Sequence, residues 1–200
     1  MEKALIFIKH NFTFIWNLIE WCNGIFFSML YSSNLERILP SVIKESANQK
    51  YSCRKLDQPD ADTVENILNS QIPSDLEYFK PHAFDLLSIR KQFRNPSFLP
   101  MGIFDGDKLV GYFFLRFFVN RKCFVGRLID KEYRGKGIGI IMNDIMYEIA
   151  WSMQFRCLST ISRSNKAVMR AHSKNKTMKV IKELQNEYLL VEFVKETSGN

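Results

Sequence analysis

The sequence predicts a mixed α/β domain in which a largely antiparallel sheet is flanked by helices. Between residues 99 and 129, apolar β-rich segments alternate with turns, and Asp105-Gly106-Asp107 has the Asp-Gly chemistry of a tight hairpin. Residues 137–153 then repeat apolar side chains at helical spacing. A strand, a helix and a terminal hairpin are expected after this helix. An antiparallel start followed by alternating helices and strands is typical of a mixed α/β fold.

Each predicted element is bounded by turn or break residues. The expected strands are residues 51–56, 99–104, 108–119, 123–129, 157–162, 178–184 and 187–194. The expected helices are residues 63–69, 75–90 as one helix or a pair, 137–153 and 165–174. Pro59 lies in the turn after the first strand, and Pro96 and Pro100 bracket the break near the second.

The N-terminal region predicts an apolar helix that ends near Pro40, followed by a polar linker over residues 41–50. Residues 4–31 are rich in Leu, Ile, Phe and Trp, and their polar residues recur every three, four or seven positions as a narrow stripe. These polar residues leave no run of about 20 apolar residues that would span a membrane. Such a helix must bury most of its surface.

We therefore expect a helical extension over residues 1–49 and a catalytic domain over residues 50–200. The extension packs on this domain or on a second copy in a homodimer. In the alternative interpretation, residues 1–31 lie in a membrane interface as a peripheral contact.

Composition excludes several classes of protein. The 200 residues carry a formal charge of +7, with 46% hydrophobic and 24% charged residues, which indicates a globular chain. Nucleic acid is not an expected partner, because no block of like charges and no RNA-binding aromatic motif is present. The four cysteines lack CxxC spacing, so we expect reduced, mostly buried thiols, no metal site and a cytoplasmic protein.

The most informative motif is a loop with three glycines at alternate positions, Gly135, Gly137 and Gly139, between a strand and a long helix. Glycines allow backbone N–H groups to approach a ligand, and the following helix N-terminus favours an anion. Arg134 and Lys136 add positive charge, so the loop suits a pyrophosphate. It fits neither a Walker A loop nor a dinucleotide fingerprint, because it lacks their glycine spacing and follows an antiparallel meander.

The spacing Arg134-Gly135-x-Gly137-x-Gly139, after a strand that ends in Leu-Ile, resembles the GNAT superfamily of N-acetyltransferases over about residues 50–195. The resemblance implies a twisted mixed sheet in which strands 123–129 and 157–162 run parallel and separate to admit the pantetheine arm of acetyl-CoA. It also implies the coenzyme-binding residues Leu128, Ile129, Arg134, Gly135, Lys136, Gly137, Ile138, Gly139 and Asn165.

The resemblance places His172 where many members have a Tyr that protonates the departing coenzyme thiolate. A histidine that is partly protonated at neutral pH is a reasonable acid. The strand before the loop lacks the Glu that many members use as a base. Asp130, His82 and Asp85 are the candidate bases, and a chain of water molecules is the alternative.

Arg116 and Arg127 lie on neighbouring predicted strands. They are either solvated surface charges or a pair of guanidinium groups that binds an anionic acceptor, such as a phosphate-bearing sugar.

The expected function is acetyl transfer from acetyl-CoA to an amine or hydroxyl of a small acceptor, with an amino sugar or a nucleotide-linked sugar as candidates. The alternative is a membrane-associated or non-catalytic acyl-CoA-binding protein of the same fold.

Overall fold

A computed structural model describes residues 13–46, 50–172 and 175–196 of the chain. Its helices are α1 (Thr13–Ser46), α2 (Ala61–Asn69), α3 (Pro73–Leu76), α4 (Leu86–Phe93), α5 (Ile138–Ser152) and α6 (Lys166–His172). Its strands are β1 (Ser52–Lys55), β2 (Phe98–Asp105), β3 (Lys108–Phe118), β4 (Lys122–Ile129), β5 (Arg156–Ser162), β6 (Met178–Glu183) and β7 (Tyr188–Phe193). Residues 4–12 of the predicted first helix and residues 173–174 of the predicted last helix lie outside the described residues.

The described strands form one mixed sheet in the order β1-β2-β3-β4-β5-β7-β6. The predicted strands and the terminal β6–β7 hairpin are confirmed, and neighbouring strands are antiparallel except for β4 and β5. These two strands are parallel, as predicted, and they pair only through residues 122–124 of β4 and 156–158 of β5. Beyond this point residues 125–129 and 159–162 flank an unpaired gap, called here the β4–β5 opening.

Helices cover both faces of the sheet. On the face called here the α5 face, α1 and α5 pack against the inward side chains of β3 and β4, among them Phe113, Phe117 and Val125. On the opposite face, the α4 face, α2 and α4 pack against Tyr112 and Leu128. Because side chains alternate along a strand, each residue of β3 and β4 belongs to one face only.

The end predicted for the first helix, near Pro40, is wrong. Helix α1 continues through Pro40 to Ser46, so the residues expected as a linker are largely helical. Proline removes one intrahelical hydrogen bond and usually ends a helix. Here the helix is held on both sides of Pro40, because Leu35 and Val42 are buried in the core with α5 and the sheet.

The first half of α1 turns its polar side toward the domain, so most of its apolar surface does not pack on its own domain, which was one of the two expected arrangements. Asn23 donates to the Phe117 carbonyl and to Ser97 Oγ, and accepts from the Val119 N–H. These partners lie at the ends of β2 and β3, where backbone groups need polar ligands. The apolar side chains left exposed are Ile15, Leu18, Ile19, Trp21, Ile25, Phe26, Met29 and Leu30. Over the described residues, no helix is both long and apolar enough to cross a bilayer.

Replacing Phe27 with Ala should lower the free energy of unfolding by about 3–5 kcal/mol, because a fully buried ring would leave a cavity. Phe27 is 0% exposed and stacks on Phe117 with a centroid distance of 4.9 Å. Leu87 on α4, 79% exposed, is the control, and Leu87→Ala should change stability by less than about 0.5 kcal/mol. Urea denaturation measures both values. Equal effects of the two substitutions would contradict the packing of α1 on the sheet.

Candidate active site

The glycine loop connects β4 to α5 and leaves the N-terminus of α5 open. Gly135 and Gly137 adopt φ angles of +75° and +83°, which favour glycine, and a Cβ at either position would meet no atom within 4 Å. Gly137 is the N-cap of α5 and makes no side-chain cap. The first N–H groups of a helix lack intrahelical acceptors, so this uncapped end is a site for an anion.

The two cations of the loop have different partners. Arg134 donates to Asp75 Oδ1 at 2.9 Å and to Gln71 Oε1 at 3.1 Å, so α3 and the turn before it hold its guanidinium. Lys136 is exposed, and its ammonium lies 4.3 Å from the centre of the Tyr133 ring. Sequence reasoning missed Asp75 and Gln71, which lie 59 and 63 residues from Arg134 and carry no local motif.

The β4–β5 opening begins three residues into β4. Beyond Phe124 and Leu158 the two strands make no further ladder pairs, and Ser159 Oγ donates to the Val125 carbonyl at 3.0 Å. From here β5 continues beside β7 alone. The sheet therefore has a gap that leads from the glycine loop into the interior. Of the predicted coenzyme-binding residues, Leu128 and Ile138 bury their side chains in the core, so only their backbone groups can reach a ligand.

A buried polar cluster lies on the α5 face beside this opening. Arg127 on β4 donates through Nε to Asn143 Oδ1 at 2.7 Å. Gly139, Asn143 and Tyr147 are spaced by four residues, so they share one face of α5. This stripe is the sequence pattern that could have identified Asn143 and Tyr147.

His172, at the end of α6, closes the cluster, but it is not partly protonated at neutral pH as predicted. Its side chain is buried against the Phe193 ring, with a centroid distance of 5.3 Å. Burial, together with the charge of Arg127, lowers its pKa from 6.5 to about 4. A neutral imidazole is therefore present at working pH, and an imidazolium acid is not.

Arg116 and Arg127 do not form the predicted pair. Arg116 pairs with Phe124 across β3 and β4, whereas Arg127 pairs with Phe113, so the two side chains lie on opposite faces of the sheet. Neither residue is a solvated surface charge, because burial lowers the pKa of both guanidinium groups.

Arg116 has a structural environment on the α4 face. Its guanidinium donates to the Pro81 carbonyl and to Gln92 Oε1, both at 3.1 Å, and lies 3.6 Å from Glu20 of α1. These contacts join α1, α4 and the segment before α4. Its charge is thus satisfied by the protein.

His82 lies over β3 on the α4 face and forms a hydrogen-bonded pair with Tyr112. Its Nδ1 is 2.7 Å from the Ala83 carbonyl, which can only accept, so Nδ1 carries the proton. Its Nε2 therefore accepts from the Tyr112 hydroxyl at 2.9 Å. Burial is the main cause that lowers the pKa of His82, and the charge of Arg116 adds to it. The imidazole is consequently in its basic form at neutral pH.

Three other predicted site residues cap local structure. Asp130 accepts from the Glu132 N–H and Asp85 accepts from the Ser88 N–H, each at the start of a helical turn. Asn165 likewise accepts from the Val168 N–H at the start of α6. The structure thus brings Arg127 and His172 together on one face, places His82 on the other, and leaves Asp85 exposed. No group of three or more metal-binding side chains occurs among the described residues.

The buried His172 should make stability fall in mild acid. The folded protein keeps this imidazole neutral down to about pH 4, whereas the unfolded chain takes up the proton near pH 6.5. The unfolded state therefore binds more protons between these values, and the free energy of unfolding decreases as pH falls through this window, by on the order of 2 kcal/mol from this residue. Denaturation curves at several pH values should show a shallower decrease for His172→Gln. Identical slopes would contradict the burial of His172.

The profile of the Acetyltransferase (GNAT) family matches residues 62–175. No curated protein sequence matches the chain at a significant level.

Several solved structures share the fold. The GNAT domain of S. lividans PAT is 9% identical with a TM-score of 0.61, covering 70% of this chain and 88% of that one. The PaiA N-acetyltransferase of Thermoplasma acidophilum, in complex with coenzyme A, is 17% identical with a TM-score of 0.59, covering 74% and 100%. The aminoglycoside acetyltransferase AAC(6')-Ib, in complex with paromomycin and acetyl-CoA, is 14% identical with a TM-score of 0.57, covering 73% and 93%.

The family profile covers more than half of the chain, and its span includes the glycine loop, α5, the β4–β5 opening and α6. The chain therefore belongs to the GNAT family of acetyltransferases.

Proposed function

We propose that this protein transfers the acetyl group of acetyl-CoA directly to the amine of a small acceptor. The observation that carries the proposal is the open N-terminus of α5, with Gly135 and Gly137 at positive φ, directly above the β4–β5 opening. This arrangement offers an anion site for the pyrophosphate and a gap in the sheet for the arm of the donor.

Acetyl-CoA is the acyl donor. Backbone N–H groups of residues 135–139 hold the pyrophosphate, and the absence of Cβ atoms at Gly135 and Gly137 leaves space for it. The side chain of Lys136 is exposed and supplies a cation. The Asn165 amide, whose oxygen caps α6, has its N–H groups available for the pantetheine arm.

The acceptor enters from the α4 face. A cavity of about 550 Å³ lies between the end of α2 and the segment after α3, and it contains Gln71, the residue that holds Arg134 of the loop. Asn69, Ser74 and Glu77 place polar groups on its wall, which suits hydroxyl and amine groups of an acceptor. Paromomycin, the ligand of the related aminoglycoside acetyltransferase, carries such groups, which supports an amino sugar. The separation of Arg116 from Arg127 removes the support for a nucleotide-linked sugar.

His82 is the proposed base. The imidazole is neutral, half-buried and held by Tyr112 and Ala83 in one tautomer. The aromatic side chains of Phe79 and Phe114 extend from this pair to Gly126 of β4. A proton from the acceptor nitrogen would reach His82 Nε2 through the Tyr112 hydroxyl, which accepts it, directly or through water, as it passes its own proton to Nε2. Holding both reactants in the gap supplies a further part of the barrier reduction.

The exposed apolar side of α1 is proposed to contact a second copy of the chain, and a membrane surface is the second candidate. Exposed positions between residues 15 and 30 carry no charged side chain, and aromatic and Met residues are common there, as in the cores of protein interfaces. Sedimentation of the full chain tests the first candidate, and flotation with anionic vesicles tests the second.

Acetyl-CoA should protect the protein against heat, and Gly137→Leu should remove this protection, because the new side chain would occupy the space of the pyrophosphate. At 100 times its Kd the ligand should raise Tm by roughly 5–10 °C. Gly106→Leu is the matched control, because Gly106 also has a positive φ, +60°, and open space around it, but lies in the β2–β3 turn. Equal protection of the Gly137 variant and the control would contradict the loop assignment.

The acceptor class is tested by detecting free thiol while amino sugars, polyamines and amino acids are supplied with acetyl-CoA. Amino sugars should release thiol, and His82→Gln should lower kcat by roughly 100-fold or more. The rate of the parent protein should increase as pH rises through the lowered pKa of His82, and His82→Gln should lose this pH dependence. Asp85→Asn should keep this pH dependence and move it to lower pH, because Asp85 caps α4 and its charge raises the pKa of His82. Protection by acetyl-CoA without thiol release from any acceptor would favour the non-catalytic alternative.

A further inference from the structure

Arg127 is a half-buried cation without an anionic partner among the described residues. Its Nε donates to the neutral Asn143, and none of the ion pairs between described residues includes it. Burial lowers the pKa of its guanidinium. A guanidinium that is partly removed from water and has a neutral hydrogen-bond partner is stabilised when an anion joins it. Arg116, in contrast, has Glu20 beside it.

The position of this cation is set by the first two turns of α5. A Cβ on Gly139 would lie 3.5 Å from both Cζ and Nη1 of Arg127, which is van der Waals contact, so the guanidinium lies directly beneath the first turn of the helix. Asn143, one turn later, fixes Nε. Arg127 is three residues beyond Phe124, the last residue of β4 that pairs with β5. The guanidinium therefore belongs to the wall of the β4–β5 opening and lies deeper than the exposed glycine loop.

The other titratable groups around Arg127 are neutral at working pH. The pKa of His172 is lowered to about 4, and burial raises the pKa of Tyr147 and of the thiols of Cys123 and Cys157. The acidic side chain next to Asn143 on the same helix is Asp144, which is exposed. Arg127 is thus the ionised group among the described side chains of this cluster.

Acetyl transfer creates a negative charge at the donor sulfur. The acceptor nitrogen forms a bond to the carbonyl carbon, the carbon–sulfur bond breaks, and the electron pair stays on sulfur as a thiolate. The proton of the nitrogen leaves through His82 to solvent, and the released thiolate takes up a proton from solvent. A thiolate in a buried cleft needs a cation beside it.

We propose that the Arg127 guanidinium binds the coenzyme thiolate as the acetyl group departs, so that a fixed charge replaces the acid expected at His172. This inference rests on the proposed acetyl-CoA-dependent function. The pyrophosphate and the ribose phosphate are the other anions of the donor, and the open loop at Gly135 and Gly137 accommodates the pyrophosphate at the surface. Arg127 lies behind Gly139, on the interior side.

The test measures the thiol pKa of coenzyme A bound to the full-length chain, by recording thiolate absorbance as a function of pH. In the parent this pKa should be at least about 1 pH unit below that of the free thiol, and Arg127→Gln should return it to the free value. At pH 9 the variant should bind coenzyme A about tenfold more weakly, whereas binding of desulfo-coenzyme A, which lacks the sulfur, should not change. Its kcat should fall by roughly 100-fold.

Asn143→Asp is a second variant that keeps the arginine and places a carboxylate at its Nε. It should raise the thiol pKa as Arg127→Gln does, because the new charge neutralises the guanidinium. Arg37→Gln, which removes an exposed arginine of α1, is the matched control and should change nothing.

Three outcomes would overturn the inference. An unchanged thiol pKa in both variants would show that Arg127 does not reach the sulfur. Equal weakening of coenzyme A and desulfo-coenzyme A would place the guanidinium on another part of the donor. A parent protein that binds neither ligand would refute the proposed function as well, whereas the first two outcomes leave that function intact.

Discussion

The early separation of β4 from β5 is the constraint on which the rest of the structure depends. Parallel strands in a sheet normally satisfy one another's backbone groups along their length, but here the ladder stops at Phe124 and Leu158. The two halves of the sheet then remain together through α5. On one side α5 packs against β3 and β4, and on the other its Trp151 indole donates to the Phe193 carbonyl of β7. The gap beneath the N-terminus of α5 is therefore held open by a rigid helix.

The contrast between Arg116 and Arg127 shows how this architecture distributes charge. Both guanidinium groups are taken out of water, which disfavours their charged form. Arg116 is compensated by Glu20, Gln92 and the Pro81 carbonyl, and it joins three segments of the chain. Among the described residues, Arg127 has the neutral Asn143 as its hydrogen-bond partner and takes part in no ion pair. One cation therefore serves the fold, and the other is poised for an anion that the fold does not provide.

The two faces of the sheet suit different halves of a transfer reaction. On the α5 face a neutral imidazole, an amide and a guanidinium surround the wall of the opening. On the α4 face His82 is also neutral, but there the hydrogen bond to Tyr112 directs its basic nitrogen. A leaving group that gains negative charge and an acceptor that loses a proton need these opposite environments. The sheet separates the two groups, and the proposed reaction brings them together at the β4–β5 opening.

The sequence by itself determined the features that depend on local chemistry. Alternating and helical periods specified the strands and α5, and the glycines at 135 and 137 specified the loop, because both adopt positive φ angles, which favour glycine. Tertiary structure decided everything that depends on long-range packing. Pro40 stays within α1 because residues on both sides of it are buried, and α1 turns its polar side inward because strand ends need hydrogen-bond partners.

Tertiary structure also determined which face of the sheet each arginine occupies and whether His172 is charged. A shift of one residue in the β3–β4 register would reverse which face a side chain occupies, so Arg116 and Arg127 could not be assigned from their strands alone. Arg134 donates a hydrogen bond to Asp75, which lies 59 residues away in the sequence, and no local motif links the two residues. The pKa of His172 follows from burial and a neighbouring cation, and burial is a property of the assembled core and not of the residue.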